Sequence, residues 1–188
     1  MQDFCKNKTD EEVVKLSLSK QDYFLCLMKR YEKKLISYIM RISSFNKEDA
    51  EDVLQEVFIK AYFNLNNFDS KLKFSSWVYR IAHNQTISEF RKKKVRPIFY
   101  FEESDLILFA DKLNLLNSID NTFIKEEISE VLQKMDKKYS EVLVLKFLED
   151  KDYKEISDIL KKPTGTVGTL INRAKVKFEK EFLKVKKL

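Results

Sequence analysis

Between positions 22 and 42, apolar side chains fall at Phe24, Leu27, Tyr31, Leu35, Tyr38 and Ile42. Steps of three and four throughout predict one amphipathic helix. Residues 43–46 break the pattern. Asn46 then stands where a helix N-cap belongs, ahead of Glu48, Asp49, Glu51 and Asp52, acids that suit the positive end of a helix. This second helix runs to about Asn64, with Ala50, Val53, Leu54, Val57, Phe58 and Ala61 inward. NLNNFDSKLK, residues 64–73, is rich in Asn, Asp and Ser and predicts a loop. FSSWVYRIAHNQTISEFRKKK then predicts a helix over 74–94, and Pro97 marks its boundary.

Residues 98–125 are acidic and apolar with no clean repeat. They predict an interdomain connector with short helical turns, too apolar to lie free in water. Helical spacing resumes over 124–135, 140–148, 154–161 and 164–184. The chain has two glycines and two prolines in 188 residues, which disfavours many short strands. The expected fold is all-α: two small helical domains, 1–96 and 126–188, joined by a connector at 97–125, the C-terminal one a helix-turn-helix.

The net charge of +6 favours an anionic partner, most simply nucleic acid. The alternative is a chain in which Lys is merely common. Cys5 and Cys26 lack metal or redox spacing, and Cys26, among Leu25, Leu27 and Met28, reads as a buried free thiol. MQDFCKNKTDEE lacks the apolar centre of a signal peptide, and no window approaches ~18 apolar residues. A reducing cytoplasm and no membrane insertion are expected.

Three constellations carry chemistry. On the 74–94 helix, Phe74, Val78, Ile81 and Ala82 form a core stripe, while Trp77, Arg80, Asn84, Ser88 and Arg91 gather on another side. An aromatic, an amide and guanidinium groups suit unpaired nucleic acid, through stacking, base edges and phosphates. The competing reading makes Trp77 a core residue and the rest a solvated face. On the 46–64 helix, Asp49, Asp52 and Glu56 share a face with Gln55 alongside. With no His, Cys or second carboxylate cluster beside them, neither a metal nor an acid–base site is supported. They read as a docking face for a basic protein surface, or as a solvated face. Finally, YKEISDILKKPTGTVGTLINRAKVKFEKE has helix-turn-helix grammar. Val167, Leu170, Ile171, Ala174 and Phe178 point inward, and Thr166, Thr169, Asn172, Arg173 and Lys175 outward toward phosphates or base edges. Gly165 and Gly168 open that second helix against their propensity, ~1 kcal/mol each, which calls for close approach of DNA or of the neighbouring helix. A helical hairpin with no DNA role is the alternative.

In this order and spacing, DAEDVLQEVFIKAY, FSSWVYRIAHNQTISEFRKKK, YSEVLVLKFLEDKDYKEISDIL and PTGTVGTLINRAK resemble the extracytoplasmic-function sigma factors, a compact branch of the bacterial sigma factors. The resemblance covers nearly the whole chain. It implies that Asp49, Asp52, Gln55 and Glu56 contact the clamp helices of the largest polymerase subunit. It implies that Asn67, Phe68, Asp69 and Lys73 form a loop capturing a flipped minus-ten base. Trp77, Arg80 and Asn84 would hold the melted strand, and Arg91, Lys92, Lys93 and Lys94 would track phosphates. Thr164, Gly165, Thr166, Thr169, Asn172, Arg173 and Lys175 would meet the minus-thirty-five element. The implied partners are core polymerase, through that clamp and the flap of the second-largest subunit, and promoter DNA, with an anti-sigma factor as a candidate. No cofactor, metal or catalytic residue is implied.

The chain departs from that pattern in three places. Gly168 and Leu170 stand where relatives commonly carry a basic residue and an Arg, and LKKP replaces a Leu-Gly-Ile-Pro-like turn. His83 stands where the family varies and takes no role. Three other classes compete: a stand-alone helix-turn-helix regulator; a nucleic-acid enzyme, which one His, no metal-spaced ligands and the lack of a Gly-rich phosphate loop disfavour; and a helical adaptor that binds only protein, which leaves the basic helix and the helix-turn-helix unexplained.

Overall fold

The computed structural model describes residues 5–43, 45–93, 101–113 and 124–185. The expected roles of Lys94, and of connector positions 97–100 and 114–123, lie outside the described residues. The chain divides into two compact units: Met1–Ile39, Phe45–Val95 and Asp158–Leu160 in the first, and Met40–Ser44, Arg96–Ser157 and Lys161–Leu188 in the second.

The first unit opens with a helix that apolar spacing alone did not reveal, α1 (Asp10–Ser19). Its start is set locally. Thr9 Oγ1 accepts from the Glu12 amide at 3.2 Å, while the Glu12 carboxylate accepts from the Thr9 amide at 2.7 Å. This reciprocal box satisfies two amides that the helix leaves unpaired, and the backbone hydrogen bond from Thr9 holds the Glu12 carboxyl below its ordinary pKa. Helix α2 (Phe24–Arg41) buries Phe24, Leu27, Tyr31, Leu35 and Tyr38, and Ile42 just beyond it is buried as well, so the sequence stripe is the core face. Asn46 caps α3 (Lys47–Phe63), its side chain accepting from the Asp49 amide at 2.8 Å. All six apolar positions predicted to face inward on α3 are buried.

A single 3₁₀ turn (Leu65–Asn67) leads to α4 (Phe74–Lys93). This helix packs against α3 and α1, and rings of α2 meet it edge-on or tilted: Tyr31 with Phe74 at 5.4 Å between centroids and Tyr38 with Tyr79 at 5.1 Å. Edge and tilted ring pairs of this kind add about 0.5–1.5 kcal/mol each beyond their buried area. Tyr38 also bonds His83 Nδ1 at 3.0 Å, so the only His is part of the core's polar wiring.

The two cysteines are not free. Cys5 and Cys26 form a disulfide with 6.4 Å between Cα atoms, which corrects the reading of Cys26 as a buried thiol. The spacing of 21 residues matches no redox motif, so only folding reveals the pairing. Closing a loop of this length typically stabilises a fold by about 3 kcal/mol.

In the second unit the connector contains a full helix, α5 (Glu103–Lys112). Glu102 and Asp105 cap it reciprocally, and Leu106, Phe109 and Ala110 are buried while Ile107 and Leu108 are exposed. Apolar residues on both faces blurred its period in the sequence. Phe109 meets Phe147 at 5.7 Å and Phe178 at 5.2 Å, which makes α5 part of this unit's core. Helices α6 (Ile124–Lys134) and α7 (Lys137–Leu143) follow, and α7 runs on into a π-helical turn, Val144–Leu148. Ser140 Oγ donates to the Leu132 carbonyl at 2.9 Å inside the bend between them. Helix α8 (Tyr153–Leu160) follows, and α9 (Thr164–Val185) completes the unit, packed on α6 and α7.

Candidate nucleic-acid and protein-docking surfaces

The acidic face of α3 forms as spaced. Asp52, Gln55 and Glu56 are exposed and Asp49 is half-buried. Asp49, Asp52 and Glu56, with Lys60 of the same helix, line a groove of ≈ 350 Å³ that Gln85, Glu89 and Lys92 of α4 also line. Lys60 donates to Gln85 and Lys92 to Glu89, which keeps two cations of the first unit beside the acids. The Glu89 hydrogen bond raises the Lys92 ammonium above its ordinary pKa. Lys92, expected on a phosphate path, is thus drawn toward Glu89.

Gln55 also borders a second groove, of ≈ 840 Å³, between α2 and α3. Its lining is mainly apolar and includes Leu25, Met28, Phe58, Ile59 and Phe63. Phe63 is 76% exposed and Ile59 49%. Sequence reasoning missed this surface. The readable signal was that α3 carries Ile59, Tyr62 and Phe63 beyond its six inward apolar positions.

The loop before α4 is built around Phe68. Its ring lies edge-on to Phe74 at 5.9 Å and to Trp77 at 5.5 Å. Asn67 and Asp69 are exposed beside it, and Asp69 Oδ1 accepts from the Lys71 amide at 2.9 Å, a turn fixed by its own side chain. Lys73 is exposed next to Phe74. The Phe74 amide, at the start of α4, donates to the Glu11 carboxylate of α1 at 3.0 Å. That contact satisfies a helix-end donor from outside the helix, and spacing could not reveal it.

The side of α4 assigned to unpaired nucleic acid is divided. Trp77 is 5% exposed, tilted against Phe74 at 5.7 Å. It is a core residue in this structure, and its ring backs Phe68. Ser76, Trp77, Val78 and Tyr79 are buried in succession, because α4 is covered from several sides. Arg80 is half-buried, and Asn84, Ser88, Arg91 and Lys92 are exposed, so the polar part of the stripe does line the surface. Lys93 belongs to α4 by its backbone; its side chain lies outside the described residues.

The helix-turn-helix is local in origin. Asp152 caps α8, its side chain accepting from the Glu155 amide at 2.8 Å while Glu155 accepts from the Asp152 amide at 3.1 Å. Helix α8 ends on Lys161, which is left-handed (φ 52°, ψ 46°). Glycine is the usual occupant of that position, so the unusual LKKP junction keeps the ordinary turn geometry with a side chain that resists it. Ser157 Oγ donates to the Lys162 carbonyl at 2.6 Å and ties the turn down. Pro163 immediately precedes α9, and the Val167 amide donates to its carbonyl at 3.0 Å.

On α9, Val167, Ile171, Ala174 and Phe178 are buried as expected, and Leu170 is half-buried. Thr164, Gly165, Thr166, Thr169, Asn172 and Arg173 are exposed together along its first three turns. Lys175 stands apart: its ammonium lies 5.3 Å from the centre of the Phe147 ring, over the unit's own core. A Cβ on Gly165 would meet nothing within 4 Å, and one on Gly168 would touch the Tyr153 ring at an ordinary 3.6 Å. Packing within the chain therefore requires neither glycine.

Among the described residues, no three His, Cys, Asp or Glu side chains are grouped to hold a metal ion, and no helix is long and apolar enough to cross a membrane.

Comparison with known proteins locates these surfaces in a family. Residues 27–96 match the model of sigma-70 region 2, and residues 125–178 match that of sigma-70 region 4. The ECF RNA polymerase sigma factor SigW of Bacillus subtilis is 35% identical over 172 residues, covering 86% of this chain and 89% of that protein. The ECF RNA polymerase sigma-E factor of Escherichia coli is 28% identical over 176 residues, covering 89% and 91%. Among solved structures, CnrH in complex with the cytosolic domain of CnrY aligns with a TM-score of 0.62 at 24% identity, covering 90% of this chain and 94% of that one. The sigma factor RpoE of Bartonella quintana, in complex with the anti-sigma factor NepR, aligns at 0.60 with 18% identity, covering 86% and 97%. Both structures share the fold. With the two regions matched in order and one relative 35% identical along most of its length, this chain belongs to the extracytoplasmic-function sigma factors of RNA polymerase.

Proposed function

We propose that the chain recruits core polymerase through α3 and reads a promoter at two places. Asp49, Asp52, Gln55 and Glu56 dock on the clamp of the largest subunit. Asn67, Phe68, Asp69 and Lys73 receive an unpaired minus-ten base, while Arg80, Asn84, Arg91 and the basic end of α4 follow the strand's phosphates. Trp77 backs Phe68 from within. Thr164, Gly165, Thr166, Thr169, Asn172 and Arg173 enter the minus-thirty-five major groove.

One observation carries this reading. The exposed start of α9 holds hydroxyl, amide and guanidinium groups in a row, beside a glycine whose missing Cβ leaves open space. Such a face admits a DNA backbone closely and offers base-edge partners. Arg173 is the one cation among residues 164–173, so the groove contact is weakly salt-dependent by itself. Extracting a base costs a few kcal/mol per step. Two modest contacts therefore reinforce each other only when both sites are spanned at once, a geometry that polymerase supplies. The protein works as a binding subunit in the cytoplasm, with no chemistry of its own. An anti-sigma factor is a further candidate partner, supported by the complex of the structural relative RpoE with the anti-sigma factor NepR.

The test is in vitro transcription with core polymerase. Asp52→Arg with Glu56→Arg should abolish polymerase capture while leaving the circular dichroism spectrum unchanged. Full transcription by that variant removes the docking assignment. Tight promoter binding by the free protein in a gel shift would instead favour a stand-alone regulator.

A further inference from the structure

The N-terminal segment is fastened to α2 by a cluster that the promoter reading does not use. Cys5 is bonded to Cys26. One turn further along α2, Arg30 donates to the Cys5 carbonyl, to the Lys8 carbonyl at 2.9 Å and to Asp10 at 2.6 Å. Tyr31 donates to the same Asp10. Burial, reinforced by the Asp10 carboxylate, raises the Tyr31 hydroxyl far above an ordinary phenol, so it remains a donor.

This fastening fixes α1, and α1 reaches the far side of the unit. Val13 and Val14 are fully buried or nearly so. The helix packs on α4 and on the 3₁₀ turn at Leu65–Asn67. Its Glu11 caps the Phe74 amide, and Phe74 carries the rings of Phe68 and Trp77. A continuous path of bonds and contacts thus runs from the disulfide to the loop at 64–73.

We propose that Cys5–Cys26 is a thiol–disulfide exchange site that sets how firmly α1 holds the start of α4 and this loop. Cys5 is 4% exposed, whereas Cys26 is half-buried and is the more approachable residue. A low-molecular-weight thiolate attacks the Cys26 sulfur, and Cys5 leaves as a thiolate and takes up a proton. A second thiol resolves the mixed disulfide on Cys26. The balance is one protein disulfide plus two thiols giving one protein dithiol plus one small disulfide, a transfer of two electrons and two protons. A small-molecule disulfide drives the reverse. In a thiol-buffered compartment the dithiol is the resting form, and oxidation tightens the clamp. The link to promoter opening rests on the reading of residues 64–73 given above; the link to α1 does not.

The full chain is equilibrated across ratios of reduced to oxidised glutathione, and the disulfide fraction is read by alkylation and mass spectrometry. Hydrogen exchange is then measured on both forms and on Cys5→Ser. The dithiol and Cys5→Ser should both exchange at least about tenfold faster over 10–19 and 65–76, with 164–185 unchanged, as expected for local opening. Equal exchange in the two forms overturns the proposal, as does a pair that never interconverts without global unfolding. Neither measurement involves polymerase, so the proposal stands or falls apart from the promoter reading. In transcription by the holoenzyme, the oxidised form should open promoters several-fold differently from Cys5→Ser, and identical output overturns the coupling to the loop.

Discussion

Helices α4 and α9 are of similar length and are both proposed to meet DNA, yet they are built on opposite plans. Helix α9 buries Val167, Ile171, Ala174, Phe178 and Phe182, a single stripe at steps of three and four. Its neighbours, α6 and α7, take one side and leave the other to solvent. Helix α4 buries Ser76, Trp77, Val78 and Tyr79 one after another, and Gln85, Thr86 and Phe90 further on. It is covered by α1, α3 and rings of α2. In α9, stability and recognition occupy separate faces. In α4, the aromatic that the sequence left open between a nucleic-acid face and the core is buried, and the proposed recognition falls to the loop it props and to the polar residues that remain exposed.

The contrast is broken most directly by truncating each helix on its own terms. Trp77→Ala removes a ring packed against Phe68 and Phe74, and should cost about 3–5 kcal/mol in denaturant unfolding. Thr166→Ala on α9 should stay within about 0.5 kcal/mol of the parent. A Trp77→Ala variant of unchanged stability would return that residue to the surface and dissolve the distinction.

Next in size is a change in binding without a change in folding. Asn172→Ala with Arg173→Ala should leave the melting temperature alone and weaken upstream-dependent promoters by roughly 10- to 100-fold, the scale of losing a base contact at about 1–3 kcal/mol. Equal loss on a promoter with a scrambled upstream element would show that α9 does not read sequence.

A smaller effect sharpens the picture of the second unit's turn. Lys161 holds a left-handed conformation that costs a side chain roughly 1–2 kcal/mol. Part of that strain is offset by the chain entropy that glycine adds when unfolded. Lys161→Gly should therefore raise stability by up to about 1 kcal/mol in a thermal melt. A loss of stability would mean that the lysine contributes a contact outweighing its strain.

The least effect is electrostatic. Burial pushes the Glu141 carboxyl above its ordinary pKa, against the opposing pull of Lys137 at 3.6 Å. A raised folded-state pKa contributes stability at low pH that is lost as pH rises through it. Glu141→Gln cannot suffer that loss. Its melting temperature relative to the parent should climb between acid and neutral pH, and a flat difference would show that Lys137 fully compensates the burial.

How much of this was legible depends on the range of the forces involved. The stripe of α2, the Asn46 cap of α3 and the α8–α9 junction were readable because periodicity and capping act over three or four residues. Helix α1 announced itself in the same local terms, through Thr9 and Glu12, and apolar spacing passed over it. The exposed row on α9 was also legible, since one buried face implies one free face.

What the amino-acid order determined by itself was the helical class, the caps and turns, and the chemical character of each helix face. The tertiary structure alone decided that Trp77 is enclosed, that α5 belongs to a core, that Cys5 meets Cys26 across 21 residues, and that Glu11 caps Phe74 across 63. The physical reason is that hydrogen bonds and dihedral preferences along a helix are settled among near neighbours, whereas burial on several sides and pairing of distant groups exist only once separate helices have collapsed together.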